Sequence, residues 1–123
     1  MLVKIKFKIG LLVFWTIFIF ILMIMPLPEN VATAAPDNTD KAVHFLLFGI
    51  FAYLLASVLL TSRKRLKLAM VNSFIFSLLY SLGCEIIQNF IPYRSMSILD
   101  FLAGAGGIAV ALLIFYVCQP TKQ

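Results

Sequence analysis

The sequence predicts an all-α membrane protein: a four-helix transmembrane bundle with both termini on the cytoplasmic side. Three observations carry that expectation. The 123-residue chain is 63% hydrophobic and only 12% charged, with a mean hydropathy of +1.05, whereas a soluble domain carries about 25% charged residues. Its apolar residues fall into four long runs, each near the roughly 20 residues that a helix needs to cross a hydrocarbon core of about 30 Å. Its basic residues collect at alternate ends of those runs. No ten-residue segments of alternating polarity appear, which argues against a membrane β-barrel. The length fits one domain, residues 1–123. The net charge of +5 follows from topology, so no nucleic-acid partner is expected.

The first helix is expected over about residues 10–27, where Gly10 to Pro26 is apolar apart from Thr16. This segment also resembles a signal peptide: a basic start, an apolar run from Leu11 to Met25, and Ala32-Thr33-Ala34 as a cleavage site. Cleavage would leave three spans in the same orientation. The second helix is expected over about 43–61, interrupted only by His44 and Ser57, and the third over about 67–90, carrying Asn72 and three serines. The fourth, about 100–118, has no charge after Asp100.

Lysine and arginine favour cytoplasmic loops. Lys4, Lys6, Lys8, Arg63, Lys64, Arg65, Lys67 and Lys122 fall on one side of a four-span chain, eight of the ten basic residues. The five acidic residues, Glu29, Asp37, Asp40, Glu85 and Asp100, fall on the other, joined by Lys41, Arg94 and His44. The chain is therefore read as a multi-pass protein of the cell membrane. Cys84 and Cys118 lie at opposite membrane faces, too far apart for a disulfide, which needs α-carbons within about 7 Å. One histidine and two separated cysteines make no zinc-binding pattern, and no metal is expected. Gly104, Gly106 and Gly107 sit inside an apolar run without the lysine of a phosphate loop, and no cofactor is expected.

Small residues and polar groups drive helix association in lipid. Ser73, Ser77 and Ser81 repeat every four residues, as do Ala103, Gly107 and Ala111. The third and fourth helices are expected to pack closely as an antiparallel hairpin, with Asn72 facing the bundle. Most aromatic residues are expected to face lipid, with Trp15 too deep for an interfacial belt.

The stretch from Cys84 to Gly107 places Glu85, Arg94 and Asp100 between apolar runs. Glu85 and Gln88 share a helix face at spacing three. Pro92 ends the third helix, Ser95 or Ser97 opens the next segment, and Asp100 suits the positive end of the fourth helix. Asp40 and His44 share a face at spacing four, with Lys41 beside them. Asp40, Lys41, His44, Glu85, Gln88, Arg94 and Asp100 thus reach one membrane face. Arg94 is expected to bridge Glu85 and Asp100 through its forked donors.

These residues carry a resemblance. The pattern E-x-x-Q-x-F-x-P-x-R followed by D, here Glu85, Gln88, Phe90, Pro92, Arg94 and Asp100, resembles the VanZ-like family. So does the upstream D-K-x-x-H-F, here Asp40, Lys41, His44 and Phe45. The family commonly continues D-x-x-x-N-x-x-G; here Gly104 replaces the asparagine and Gly107 is kept. The resemblance implies a small multi-span membrane protein whose namesake is associated with low-level resistance to the glycopeptide teicoplanin.

The expected function is a binding or accessory role in the cell envelope or in glycopeptide resistance. The partner would be a membrane lipid or a lipid-linked envelope precursor, with Arg94 and Lys41 donating to phosphate. One alternative is an enzyme acting on such a lipid-linked substrate, with His44 or Glu85 as acid or base. The other is a polar network with a purely structural role.

Overall fold

The computed structural model describes residues 2–26 and 37–120, and shows four helices and no strand among them. The helices are α1 (Leu2–Ile24), α2 (Asp37–Arg63), α3 (Leu66–Gln88) and α4 (Ile98–Val117). All four are long and apolar enough to cross a membrane. The expected cleavage site at Ala32–Ala34, Glu29, the Asp37 side chain and Lys122 lie outside the described residues.

Two helix starts differ from the sequence expectation. α1 begins at Leu2 rather than near residue 10, because lysine is a good helix former and Lys4, Lys6 and Lys8 continue the helix beyond the apolar run. Lys8 Nζ also donates to Thr61 Oγ1 of α2 at 2.9 Å. α2 begins at Asp37 rather than 43: the polar residues before Val43 extend the helix beyond the apolar length that a bilayer requires. α3 ends at Gln88, four residues before Pro92, and α4 opens with Ser97 as N-cap, its hydroxyl accepting from the Asp100 amide at 3.3 Å.

The strongest packing joins α2 to α4, which run parallel: Phe45 meets Gly107, and Tyr53 meets Phe115 edge-on at 5.1 Å. The expected antiparallel pairing of α3 with α4 is present, but the closest approach is elsewhere. The small stripe of α4 faces α2, where a β-carbon on Gly107 would collide with the Phe45 carbonyl. The serine stripe of α3 is fully buried, but it is shared. Ser73 donates to the Ala52 carbonyl of α2 at 2.6 Å, while Ser81 lies against Gly104 of α4. Glycine lets two backbones touch; a serine stripe still carries β-carbons and hydroxyls, so α3 packs less tightly on α4 than α2 does. Asn72 is half-buried.

α1 packs on α2 and α3 but not on α4. Ile19 and Met23 are its buried residues, and midway along it two further polar contacts hold it: Trp15 Nε1 donates to the Leu47 carbonyl at 3.0 Å, and the Tyr80 hydroxyl to the Thr16 carbonyl at 2.7 Å. The core proper is built from Phe48, Phe51, Ala52, Ala56, Ile108, Leu112 and Phe115. Most other phenylalanines are exposed, as a lipid-facing surface requires.

Replacing Gly107 with alanine forces α2 and α4 apart, an overpacking that costs about 1–3 kcal/mol. Gly83 has open space around its α-carbon, so Gly83→Ala is neutral or mildly stabilising. Thermal unfolding in detergent micelles checks the pair; equal melting of Gly107→Ala and the wild type would remove the close contact from the account.

Candidate functional site

The basic residues Lys4, Lys6, Lys8, Arg63, Lys64, Arg65 and Lys67 mark one end of the bundle, and Asp40, Glu85 and Asp100 mark the other. At the acidic end three helices each contribute one ionisable side chain. The parallel packing of α2 on α4 brings the His44 and Asp100 side chains together at one end of the bundle, and antiparallel α3 delivers Glu85 to them. His44 Nε2 lies 2.7 Å from Glu85 Oε1, with only 3% and 0% of the two side chains exposed. Neither atom has any other hydrogen-bond partner. The half-buried Asp100 completes the group, and the three ligand-capable atoms lie within 4.8 Å of one another.

The backbone fixes both members of the pair. His44 Nδ1 meets the Asp40 carbonyl one turn earlier in α2 at 2.8 Å. A carbonyl only accepts, so Nδ1 carries a proton. The amide of Ser97 donates to Glu85 Oε2 at 3.1 Å, while the Ser97 side chain caps α4. The connection from α3 to α4 therefore holds the carboxylate and the start of α4 together. Beneath the pair lies an apolar floor: Phe48 packs against the His44 ring at a centroid distance of 5.9 Å and meets Tyr80 edge-on.

Arg94 does not bridge Glu85 and Asp100. Its Nε donates to the Met25 carbonyl at 2.9 Å and its Nη2 to the Leu22 carbonyl at 3.2 Å. The last carbonyls of a helix have no partner within it and carry its negative dipole end, so the end of α1 draws the guanidinium away from the carboxylates. Tyr93, in the left-handed region at φ 61°, turns the chain just before Arg94. Gln88, buried beside it, points its amide at Met23 Sδ of α1 at 3.1 Å. The seven anticipated residues thus divide. His44, Glu85 and Asp100 form one cluster, and Gln88 and Arg94 clamp α1. Asp40 is exposed and contributes its carbonyl, and half-buried Lys41 stands within electrostatic reach of Asp100.

Sequence reading missed the backbone partners: the carbonyls of Leu22, Met25 and Asp40 and the amide of Ser97. Main-chain groups leave no mark on residue type. Only the position of Ser97 before an apolar run hinted at a cap. Gly104, where the related pattern has asparagine, faces Phe48 and the Ser81 hydroxyl, with a would-be β-carbon 3.3 and 3.1 Å from them; a larger side chain there is crowded by these two neighbours. Cys84 and Cys118 are both free. A cavity of about 580 Å³ lined by Leu60, Lys64, Leu66 and Tyr116 opens at the basic end, far from the cluster.

Three comparisons bear on the chain. A family model described as VanZ/LLP1 matches residues 7–119. "Uncharacterized protein C11E3.10" of Schizosaccharomyces pombe is 32% identical over 84 residues, 68% of this chain and 49% of the relative. The chain thus spans about half the length of that curated relative. No solved structure matches.

The buried pair gives a sharp energetic expectation. Removing one partner of a buried ion pair costs about 3–5 kcal/mol when the other charge stays buried. His44→Ala strands the Glu85 carboxylate, whereas after Glu85→Ala the imidazole can shed its proton, so His44→Ala is the more damaging. The double variant His44→Leu/Glu85→Met regains most of the loss. Thermal unfolding of the four proteins in detergent tests this, and additive losses in the double variant would show that the two groups do not act as a pair.

Proposed function

Because the chain belongs to the VanZ-like family and carries four helices able to span a membrane, we propose that it is a cell-membrane binding or accessory protein serving the cell envelope. Its acidic end faces outward, following the positive-inside distribution of its lysines and arginines. There the cluster of His44, Glu85 and Asp100 engages the polar headgroup of a membrane lipid or of a lipid-linked envelope precursor. Protection against a lipid-seeking glycopeptide of the teicoplanin type follows from occupying or altering that target.

The observation that carries this reading is the His44–Glu85 pair itself, almost wholly buried at a helix end. Apolar residues of similar volume stabilise a bundle as well as or better than a buried ion pair does, so packing alone gives no reason for the charges. Ionisable groups within a membrane segment commonly mark a functional path. The three groups are mainly acceptors, suited to hydroxyl or amine donors of a headgroup, and Lys41 adds a cation for phosphate. Arg94, engaged by α1, acts as a positioning residue for the helix that walls the site.

One observation favours a second reading, an enzyme acting on a lipid-linked substrate. The His44 ring is held by the Asp40 carbonyl on one nitrogen and faces a carboxylate with the other, the geometry of an oriented acid–base pair able to pass a proton. Turnover of a labelled envelope precursor by the purified protein, lost in His44→Gln, would select it over binding alone.

Two measurements test the proposal. Glu85→Gln preserves size while removing the charge; its membrane abundance stays near wild type while teicoplanin protection falls to the level of cells lacking the protein. Full protection by this variant would sink the assignment of the site. In a background with both native cysteines replaced, Ser95→Cys reacts with a membrane-impermeant thiol reagent in intact cells and Lys64→Cys only after permeabilisation. The opposite labelling pattern would invert the orientation.

A further inference from the structure

We infer that His44, Glu85 and Asp100 form a binding site for a divalent first-row metal ion of the zinc type. The inference rests on the binding reading above and deepens it, since the headgroup would then be met through the metal. One imidazole nitrogen and two carboxylate oxygens, drawn from three helices, lie within 4.8 Å of one another. Nitrogen and oxygen donors of these types hold zinc, and three protein ligands with an open fourth position are the pattern of sites that take up an exogenous oxygen ligand. The open position is where a headgroup phosphate or hydroxyl oxygen would bind.

The surroundings of the cluster point the same way. A metal-binding histidine typically donates its second ring N–H to a carbonyl, and ligating carboxylates are themselves hydrogen-bonded. His44 Nδ1 meets the Asp40 carbonyl, and Glu85 Oε2 accepts from the Ser97 amide. Those bonds aim the remaining atoms, Nε2 and Oε1, inward, where they have only each other. With Nδ1 protonated, Nε2 of the neutral ring offers a lone pair, and it faces a carboxylate oxygen at 2.7 Å. Two acceptors hold that distance only with positive charge between or beside them.

A proton on Nε2 provides it, and so does a divalent ion held between the neutral imidazole and the two carboxylates. Tetrahedral zinc bonds of about 2.0–2.2 Å separate neighbouring ligand atoms by about 3.4 Å, so loading opens the 2.7 Å His44–Glu85 contact by about 0.7 Å. A Cys/His spacing search passes over this site because its ligands are two acids and one histidine on three helices.

The test uses full-length protein purified in detergent without a polyhistidine tag. It is stripped with chelator and titrated with Zn²⁺, Mn²⁺, Co²⁺ or Mg²⁺. Elemental analysis is expected to find about one zinc per chain, with affinity at least about tenfold weaker in Asp100→Asn and in Glu85→Gln. Both variants preserve size, and Asp100 is only half-buried, so Asp100→Asn keeps the test usable even where a change at Glu85 impairs folding. Bound Co²⁺ gives a visible ligand-field spectrum that Asp100→Asn alters, and Mg²⁺, which suits all-oxygen sites, neither displaces zinc nor raises the melting temperature. Absence of bound metal and of any thermal shift overturns the inference, as does equal binding by wild type and both variants, the mark of an adventitious ion only. Loss of teicoplanin protection in Glu85→Gln without metal binding by the wild type rejects the metal and keeps the binding reading. Metal binding with protection intact in that variant does the reverse.

Discussion

The close approach of α2 and α4 is the constraint on which the rest depends. The α-carbon of Gly107 lies against the Phe45 carbonyl, a contact that any side chain at 107 would prevent. Within lipid the hydrophobic effect offers helices little reason to associate, and such backbone contact with its dispersion attraction replaces it. The parallel course of these two helices then sets His44 and Asp100 at the same end of the bundle, their side chains within reach of each other. With a wider separation, α3 could not place Glu85 within 2.7 Å of His44 while accepting a hydrogen bond from Ser97 at the mouth of α4.

The polar end is organised by main-chain groups more than by pairs of side chains. Helix termini leave carbonyls and amides without intrahelical partners, and near an apolar medium each must be satisfied. Arg94 satisfies two carbonyls at the end of α1, those of Leu22 and of Met25 just beyond it, and Glu85 satisfies the amide of Ser97. These bonds explain why the arginine and the carboxylates separate although they meet at the same membrane face. The guanidinium finds two partners at the negative end of a helix dipole, and the carboxylate is left to the imidazole.

How much was legible beforehand depended on the kind of interaction. The four spans followed from the lengths of the apolar runs, and the burial of Ser73, Ser77 and Ser81 from their spacing. Both rest on local periodicity. The start of α1 was misjudged because lysines outside the apolar run still support a helix. The partner of the α4 small-residue stripe was misjudged too. A stripe shows that something packs closely but carries no label for which neighbour does. Of the site, the membership of His44, Glu85 and Asp100 could be read from their placement at one membrane face, but the partner of Arg94 could not.

The sequence by itself determined that this chain carries four helices able to cross a membrane, where their apolar runs lie, and which end gathers the acidic residues. Those properties depend on hydropathy and charge summed over single segments. Only the tertiary structure decided that α2 pairs with α4, that His44 meets Glu85 and that Arg94 secures α1. Such choices are made by contacts between segments distant in the chain, through backbone atoms common to every residue, and a string of side-chain identities does not encode them one by one.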